Sequence, residues 1–317
     1  MVKLIRHSDN PLLSPNRNNE WESTGVYNPS VAKLDNKFFM LYRAFDTNGR
    51  STIGLAEGDT PASFTNRRLF IKPEYPWEEF GCEDPRVTKI EDKFYISYTA
   101  ISTWPPSADG IKVGMAITSD FRVVEAKHPV TTFNSKALGF FPERVKGKYA
   151  AILAVNTDKP PPKISLAYFD KKEDIWSETY WNDWYSHLNE YSFNIPKRDE
   201  DHFEVGAAPV KCEAGWLLIY SYIENYFTGS QGWRMDALLL DKEEPFKIIG
   251  RIHQPLLYPV EDYEIYGNVH NIVFPSGSII EGDELFVYYG GADTVSCLAS
   301  CKINELVKEL TSESSNP

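Results

Sequence analysis

The segment GCEDPRVTKIEDKFYISYTA, residues 81–100, places two carboxylates, a proline and an arginine directly before an alternating apolar run. Carboxylates act as general acids or bases when a fold holds them against a reacting group. An Asp before a proline is also a common turn residue, so Asp84 is open to either interpretation. Because a residue before proline is biased toward an extended conformation, we expect Asp84 to be held rigidly where a strand begins.

The pattern that follows Asp84 recurs five times along the chain, each time as a polar or glycine turn and then an aromatic or apolar strand. The copies are LDNKFFMLYRA (34–44), IEDKFYISYTA (90–100), VKGKYAAILAV (145–155), CEAGWLLIYSY (212–222) and IEGDELFVYYG (280–290). Another short extended stretch precedes each copy, and a third follows it, as in STIGLAEGD (51–59) and IKVGMAITSD (111–120). This recurrence predicts a repeated unit of antiparallel strands.

Short strands that repeat every 55 to 69 residues over the whole chain predict an all-β fold, a single-domain five-bladed β-propeller covering residues 1–317. A β-sandwich or two stacked β domains are the alternatives. No linker rich in Pro, Ser and Gly divides the repeats, which favours the single domain. The stretch INELVKEL, in a short C-terminal tail of about residues 303–317, has the period of a helix.

Composition excludes several kinds of partner. The 317 residues carry a net charge of −12, which argues against nucleic acid, because phosphate binding needs clustered Lys and Arg. No stretch approaches the roughly 20 apolar residues of a membrane span, and no signal peptide is evident, so we expect a cytoplasmic protein that does not bind membranes. The four cysteines lack zinc-site spacing, and we predict reduced thiols, no metal and no organic cofactor.

The polar residues that the five repeats contribute differ from one repeat to the next. The set comprises Asn28, Arg43, Glu83, Asp84, Arg86, Lys136, Glu143, Glu204, Lys211 and Asp293. Five equal binding pockets, as in a sugar-binding lectin, would need the same residues in every repeat. The asymmetry instead predicts one composite central site, which is the arrangement that an enzyme needs.

Seven blocks of the sequence, in order, resemble glycoside hydrolase family 130, the β-mannoside phosphorylases and β-mannosidases, which are five-bladed propellers. The blocks are YNPSVAKLDNKFFMLYRA, STIGLAEGD, GCEDPRVTKIEDKFYISYTA, FPERVKGKYA, GWLLIY, NIVFPSG and YYGGADT. The resemblance runs from Asn10 to Thr294. It implies an enzyme whose partner is a small oligosaccharide; whether the protein is a homo-oligomer stays open.

The resemblance also implies roles for individual residues. Asp84 is similar to the family's proton donor, with Glu83 and Arg86 as neighbours that set its charge and position. Asn28, Arg43 and Asp293 match positions that hold the sugar of the nonreducing-end subsite.

Three further positions are implied less directly. Lys211 matches a lysine beside the phosphate site. Glu143 is shared with the phosphorylases and is structural or sugar-binding. His270 is a substrate-binding or a structural histidine.

The sequence departs from the phosphorylase pattern where phosphate would bind. Lys136 replaces an arginine, Ala154 another arginine and Ser221 a histidine, and a doubly charged anion needs several cations. We therefore expect inverting hydrolysis of β-mannosides, including β-1,2-linked ones, with Glu204 or Glu224 as general base. Such a base lies roughly 6.5–9.5 Å from the acid, which leaves room for a water.

Two alternatives stay open. A β-mannoside phosphorylase would release mannose 1-phosphate, with phosphate as co-substrate held by other cations such as Lys136, Lys211, Arg86 or Arg144. A non-catalytic sugar-binding propeller is the third possibility. The aromatic segment 175–193 is then either a stacking wall for the leaving sugar or a hydrophobic lid.

Overall fold

The computed structural model of the protein describes residues 2–229 and 231–312 and is built mainly of β-strands. The strands are β1 (Ile5–Arg6), β2 (Gly25–Leu34), β3 (Lys37–Phe45), β4 (Ser51–Thr60), β5 (Ser63–Ile71), β6 (Gly81–Ile90), β7 (Lys93–Ile101), β8 (Ile111–Thr118), β9 (Ala126–Pro129), β10 (Ser135–Phe140), β11 (Tyr149–Val155), β12 (Lys163–Phe169), β13 (His202–Val205), β14 (Val210–Lys211), β15 (Trp216–Glu224), β16 (Gly232–Leu240), β17 (Ile248–Arg251), β18 (Val273–Glu281), β19 (Glu284–Gly291) and β20 (Val295–Lys302). The helices are α1 (Glu178–Ser186), α2 (Asp262–Ile265) and α3 (Ile303–Ser312), with 3-10 turns at Glu20–Glu22, Pro76–Glu78 and Lys172–Trp176. The predicted all-β class is confirmed.

The strands form five antiparallel units in chain order. We call them unit A (β2–β5), unit B (β6–β9), unit C (β10–β12), unit D (β13–β17) and unit E (β18–β20). One parallel pair, Ser51 with Gly81, joins units A and B. The N-terminal strand β1 pairs with β20, so the last unit is completed by the beginning of the chain.

Two-residue turns fix the register of the first hairpin in most units. Asp35, Glu91, Lys146 and Gly282 each begin such a turn with φ between 51° and 62°. Positive φ matches the tight turns that suit the twist of two antiparallel strands. The recurring polar or glycine turn of the sequence is therefore the hairpin between the first and second strands, as predicted.

The hydrophobic core consists of five clusters, each lying between two consecutive units. The clusters join units A and B, B and C, C and D, D and E, and E and A. Alternating side chains of each strand face opposite clusters, as in Leu218 and Leu217 of β15, which belong to different ones. Each unit thus buries both of its faces.

The aromatic segment 175–193 is neither the stacking wall nor the lid that the sequence predicted. It contains α1, whose Trp181 and Trp184 are buried against Phe133 in the cluster between units B and C. The indole N–H groups of both tryptophans donate to backbone carbonyls, those of Ile175 and Leu166. The segment covers the outer side of unit C, which has only three strands.

Two further predictions concern the chain's end and its thiols. The helical pattern near the C-terminus is confirmed by α3, while residues 313–317 of the predicted tail lie outside the described residues. All four cysteines are free thiols, and three of them are buried. Within the described ranges, no helix is long and apolar enough to span a bilayer.

Candidate active site

The first strands of units A and B are each interrupted by a bulge at a polar residue that precedes a proline. The register shifts between Tyr27 and Ser30 in β2, and between Glu83 and Arg86 in β6. Asn28 and Asp84 occupy these bulges with φ of 51° and 52°. A bulge re-aims side chains out of the ladder, and Asn and Asp tolerate the left-handed region better than most residues.

This backbone corrects the expected extended conformation of Asp84. Proline at the next position disfavours the right-handed helical region, and the bulge meets that restriction with a left-handed conformation instead. The expected rigidity has a different source, namely the contacts that follow.

Polar neighbours contact both the side chain and the backbone of Asp84. Asn28 Nδ2 donates to Asp84 Oδ1 at 2.8 Å, and an Arg43 nitrogen lies 3.6 Å from the same oxygen. Arg86 donates to the backbone carbonyl of Asp84 at 2.9 Å. The carboxyl group is therefore oriented before any substrate arrives.

Arg86 is almost fully buried and links units B and D. Besides its bond to Asp84, it donates to the carbonyls of Gly206 at 2.6 Å and Val205 at 3.2 Å. Burial lowers the pKa of Arg86 to about 10, although Asp84 and Glu204 counteract that effect. The guanidinium of Arg86 is therefore bonded to backbone carbonyls of β6 and of the end of β13, the first strands of units B and D.

Glu83 and Arg43 form the second pair of the site. Their side chains approach to 2.7 Å, and the Ser51 hydroxyl donates to Glu83 at 2.9 Å while accepting from Arg43 Nε at 2.9 Å. The guanidinium also lies over the rings of Tyr27 and Phe45. Burial lowers the pKa of Arg43, but Glu83, Asp84 and their neighbours outweigh it and raise that pKa above its ordinary value.

Asp293 joins the same cluster from the turn between β19 and β20. Burial raises the pKa of Asp293 to about 6; Arg43 counteracts this effect, and the carboxylates of Asp84, Glu83 and Glu204 add to it. Five groups contributed by units A, B, D and E therefore share one electrostatic environment.

Glu204 and Lys136 form the other side of the site. Burial raises the pKa of Glu204, but hydrogen bonding and charge from His202, with Lys136 and Arg86, outweigh it and lower that pKa. The His202 Nε2 atom lies 3.2 Å from Glu204 Oε1. Lys136 Nζ lies 3.0 Å from Asp158 Oδ1, and Glu204 and Asp158 raise the pKa of Lys136 against the effect of burial.

Three members of this side were missed by the sequence analysis. His202 and Asp158 contact Glu204 and Lys136 directly, and the ring of Tyr226 lies 4.6 Å from that of His202. One signal was available: His202 and Glu204 are two apart on a strand and so share a face. Asp158 lies in a proline-rich loop, where sequence spacing gives no such guide.

Charge and open hydrogen-bonding capacity characterise the assembled cluster. Three cations, Arg43, Arg86 and Lys136, face five carboxylates, Glu83, Asp84, Asp158, Glu204 and Asp293. Among the described residues, buried polar atoms without a partner include Asn28 Oδ1, Thr99 Oγ1, Ser221 Oγ and His202 Nδ1. Buried polar atoms are normally hydrogen-bonded, so these atoms are suited to the hydroxyl groups of a ligand.

Glu224, the other candidate base, is placed differently. It is paired with Arg234, whose guanidinium lies 4.1 Å from the ring of Tyr222 and also pairs with Asp236. Glu224 is not among the main causes of the pKa shifts of Glu204 and Asp293. Of the two predicted bases, the structure brings only Glu204 to Asp84.

Lys211 and Glu143 lie away from the Asp84 cluster. They form an ion pair with each other, and Lys211 lies over the ring of Trp216. Lys211 pairs in register with Trp216, whereas Glu204 pairs with Ser221, five residues along β15. At ~3.3 Å per residue, Lys211 lies about 16 Å along the sheet from Glu204.

His270 is exposed in the segment between α2 and β18. Its ring makes an edge contact with Tyr266, with 6.3 Å between the ring centroids. No contact brings it to the Asp84 cluster in the described part of the chain. The predicted set thus resolves into Asn28, Arg43, Glu83, Asp84, Arg86, Lys136, Glu204 and Asp293 inside the cluster, and Glu143, Lys211, Glu224 and His270 outside it.

Comparisons with known proteins agree with the resemblance seen in the sequence. A family model described as beta-1,4-mannooligosaccharide phosphorylase matches residues 3–312. A 1,2-beta-oligomannan phosphorylase of Thermoanaerobacter sp. (strain X514) is 30% identical over 315 residues, covering 96% of this chain and 99% of the relative. Four curated relatives match, and each is named as a mannoside phosphorylase.

Solved structures share the fold. A β-1,2-mannobiose phosphorylase of Listeria innocua, solved with β-1,2-mannobiose, superposes with a TM-score of 0.80 at 24% identity, covering 97% of this chain and 99% of the other. A GH130 structure reported for glycoside hydrolases that target β-1,2-mannosidic linkages in Candida mannan gives a TM-score of 0.74 at 20% identity, covering 96% and 94%. At these identities the likeness concerns the fold.

Proposed function

This chain belongs to glycoside hydrolase family 130, and we propose that it cleaves β-mannosides at the Asp84 cluster. The observation that carries the proposal is the oriented carboxyl of Asp84, bonded to Asn28 and close to Arg43. Asp84 is the proton donor, while Asn28, Arg43 and Asp293 bind the hydroxyl groups of the terminal mannosyl unit. Burial raises the pKa of Asp293 to about 6, so this carboxyl holds a proton at mildly acidic pH.

Phosphorolysis is the first candidate reaction. The relatives favour it over the hydrolysis that the sequence analysis expected, because the curated relatives are named as phosphorylases of β-1,2- or β-1,4-linked manno-oligosaccharides. In this reaction phosphate attacks the anomeric carbon, the glycosidic bond breaks, and the leaving sugar takes the donor's proton. Lys136 is the candidate cation for phosphate, since it pairs with one carboxylate, Asp158, whereas Arg43 contacts two and Arg86 is bonded to backbone carbonyls.

One observation favours hydrolysis as the second candidate. Phosphate at Lys136 would lie close to Glu204 and Asp158, which adds a doubly charged anion where carboxylates already outnumber cations. Desolvating such an anion without matching cations is unfavourable. Water has no such cost, and Glu204, whose charge acts on Arg86 together with that of Asp84, would be its general base.

The experiment is an incubation of the protein with β-1,2-mannobiose, with and without phosphate, followed by identification of the products. Mannose 1-phosphate formed only with phosphate supports phosphorolysis, and free mannose formed in either buffer supports hydrolysis. No cleavage of any β-mannoside would contradict the proposed enzyme and leave a sugar-binding module.

We further propose that units A to E are the five blades of a propeller and constitute one domain. This proposal is supported by the five clusters that lie between successive units, including the one between units E and A, and by the pairing of β1 with β20. Cytoplasmic location, the absence of a metal or organic cofactor, and the lack of nucleic-acid and membrane partners stay predictions.

A further inference from the structure

We propose that Asp201 is a positioning residue for Glu204 in the candidate active site. The proposal rests on the proposed function, because it concerns how the Glu204 side of that site is held. Asp201 directly precedes β13, the strand that carries Glu204, and its side chain is only 1% exposed. An acidic residue in the charged run KRDEDHFE (197–204) would ordinarily be solvated, so the burial of Asp201 needs a reason.

Four hydrogen bonds fix the carboxylate of Asp201. Arg198 donates from Nε to Oδ2 and from Nη2 to Oδ1, both at 2.8 Å. The Tyr222 hydroxyl donates to Oδ2 at 2.5 Å, and the backbone N–H of Asn225 donates to Oδ1 at 2.9 Å. Burial raises the pKa of Asp201, but these hydrogen bonds outweigh it and lower that pKa. The ionised carboxylate therefore connects the loop before β13 to β15 and to the residue that follows β15.

Two segments of the chain connect Asp201 to Glu204. In the first, Asp201 is followed by His202, whose Nε2 atom lies 3.2 Å from Glu204 Oε1. In the second, Asn225 is followed by Tyr226, whose ring centroid lies 4.6 Å from that of His202. Asp201 thus holds both segments that contact the His202 ring, and the ring in turn contacts Glu204.

Glu204 depends on this support because it has few direct partners. In the described ranges, His202 is the only side chain within hydrogen-bonding distance of the Glu204 carboxylate. The other ring nitrogen of His202, Nδ1, is buried and has no hydrogen-bond partner among the described residues. A functional group is held accurately when the residues around it are themselves fixed by packing and hydrogen bonds. The direction of the Glu204 carboxylate therefore depends on the orientation of His202, which Asp201 and Tyr226 restrict.

The same kind of buried carboxylate recurs in three other units, which provides a matched control. Units A, B and E each bury a glutamate before the first strand, where it accepts from a tyrosine hydroxyl and pairs with a cation. The triads are Glu22–Tyr42–Arg67, Glu78–Tyr98–Lys127 and Glu264–Tyr289–Arg6. The side chain of Glu264 contacts no residue of the Asp84 cluster in the part of the chain that the structure describes. Glu264→Gln thus weakens a similar triad away from Glu204.

The test is a double-mutant cycle of Asp201→Asn and Glu204→Gln, assayed on β-1,2-mannobiose with and without phosphate. Asparagine keeps the size of the side chain but removes its charge and one acceptor oxygen. We expect Asp201→Asn to change kcat/KM about tenfold when Glu204 is present, and by less than about twofold in the Glu204→Gln background. The control Glu264→Gln should lower Tm and leave kcat/KM unchanged. Tyr222→Phe removes one of the four bonds and replaces Asp201→Asn in the cycle if that variant does not fold.

An equal effect of Asp201→Asn in both backgrounds, or no effect when Glu204 is present, would overturn the proposal. Hydrogen exchange separates this result from the fate of the proposed function. In Asp201→Asn, the backbone amides of residues 202–205 and 225–229 should exchange at least about tenfold faster than in wild type, and those of residues 273–281 should not change. If wild type or Glu204→Gln cleaves no β-mannoside, the exchange result decides alone. Faster exchange confined to those two segments then supports the positioning role, and unchanged or general exchange contradicts it.

Discussion

Replacing Asp293 with asparagine should stabilise the protein at neutral pH while impairing substrate binding. Burial among the carboxylates of Asp84, Glu83 and Glu204 raises the pKa of Asp293 to about 6. A carboxyl whose folded pKa lies above its unfolded value binds its proton more tightly in the folded state. Stability is therefore lost as the pH rises from about 4 through 6, because the folded protein must then hold an unfavourable charge.

The magnitude follows from the difference in pKa. An unfolded value near 3.9 and ~1.36 kcal/mol per pKa unit give a cost of up to about 3 kcal/mol at pH 7. Asparagine keeps the shape of the side chain and tolerates the positive φ of 48° at this position. The substitution also loses the attraction to Arg43. We therefore expect the free energy of unfolding of Asp293→Asn to rise by about 1–3 kcal/mol, and its Tm by roughly 2–8 °C.

The assay is thermal and urea unfolding of wild type and Asp293→Asn at several pH values between 4 and 8. The stability difference should grow as the pH rises to about 7 and shrink toward pH 4. Asp35→Asn is the matched control, because Asp35 also has positive φ, at 54°, but is exposed in a hairpin turn. Equal or lower stability of Asp293→Asn at pH 7, or a difference independent of pH, would refute the reasoning.

Three further substitutions test the assignment of the cluster. Glu204→Gln should lower KM for phosphate about tenfold by removing a negative charge near Lys136; loss of cleavage in phosphate-free buffer would instead identify Glu204 as the base for water. Arg86→Lys should destabilise the protein by about 2–4 kcal/mol in urea unfolding, since a lysine cannot bond all three carbonyls that Arg86 reaches; an unchanged midpoint would contradict this. Lys136→Ala should lower kcat/KM at least tenfold, whereas Lys211→Ala should leave it unchanged, and the reverse order would restore Lys211 to the site.

The strands could be predicted because their signal is local. The predicted strands that contain Phe38, Phe94, Tyr149, Trp216 and Leu285 are β3, β7, β11, β15 and β19, one in each of units A to E. Alternating apolar residues after a turn specify such strands without reference to the rest of the chain. The same argument could not identify α1, because its tryptophans are buried through contacts with Phe133 in the cluster between units B and C.

Two residues of the candidate site are marked in the sequence by the first strands of units A and B. Asn28 and Asp84 both precede a proline at equivalent points of two repeats, and the structure joins them by a hydrogen bond. Their left-handed conformation was not predicted, because a residue before proline usually adopts an extended conformation.

The structure places Lys211, which the resemblance puts beside the phosphate site, outside the cluster. Its sequence block was recognised, but a strand has two ends, and the block alone did not indicate which end faces the cluster. His202 and Asp158 were missed because their roles depend on side-chain contacts with Glu204 and Lys136, which the order of residues along the chain does not reveal.

The most direct test of the central claim is the cleavage of β-1,2-mannobiose by wild type and by Asp84→Asn, in buffers with and without phosphate. Asparagine suits the left-handed conformation and keeps a hydrogen-bonding oxygen toward Asn28, but it cannot donate the proton of a carboxylic acid. Wild type should release mannose 1-phosphate in phosphate buffer, and the folded variant should be slower by about 10²–10⁴-fold, the usual contribution of a general acid. Undiminished cleavage by Asp84→Asn would contradict the claim.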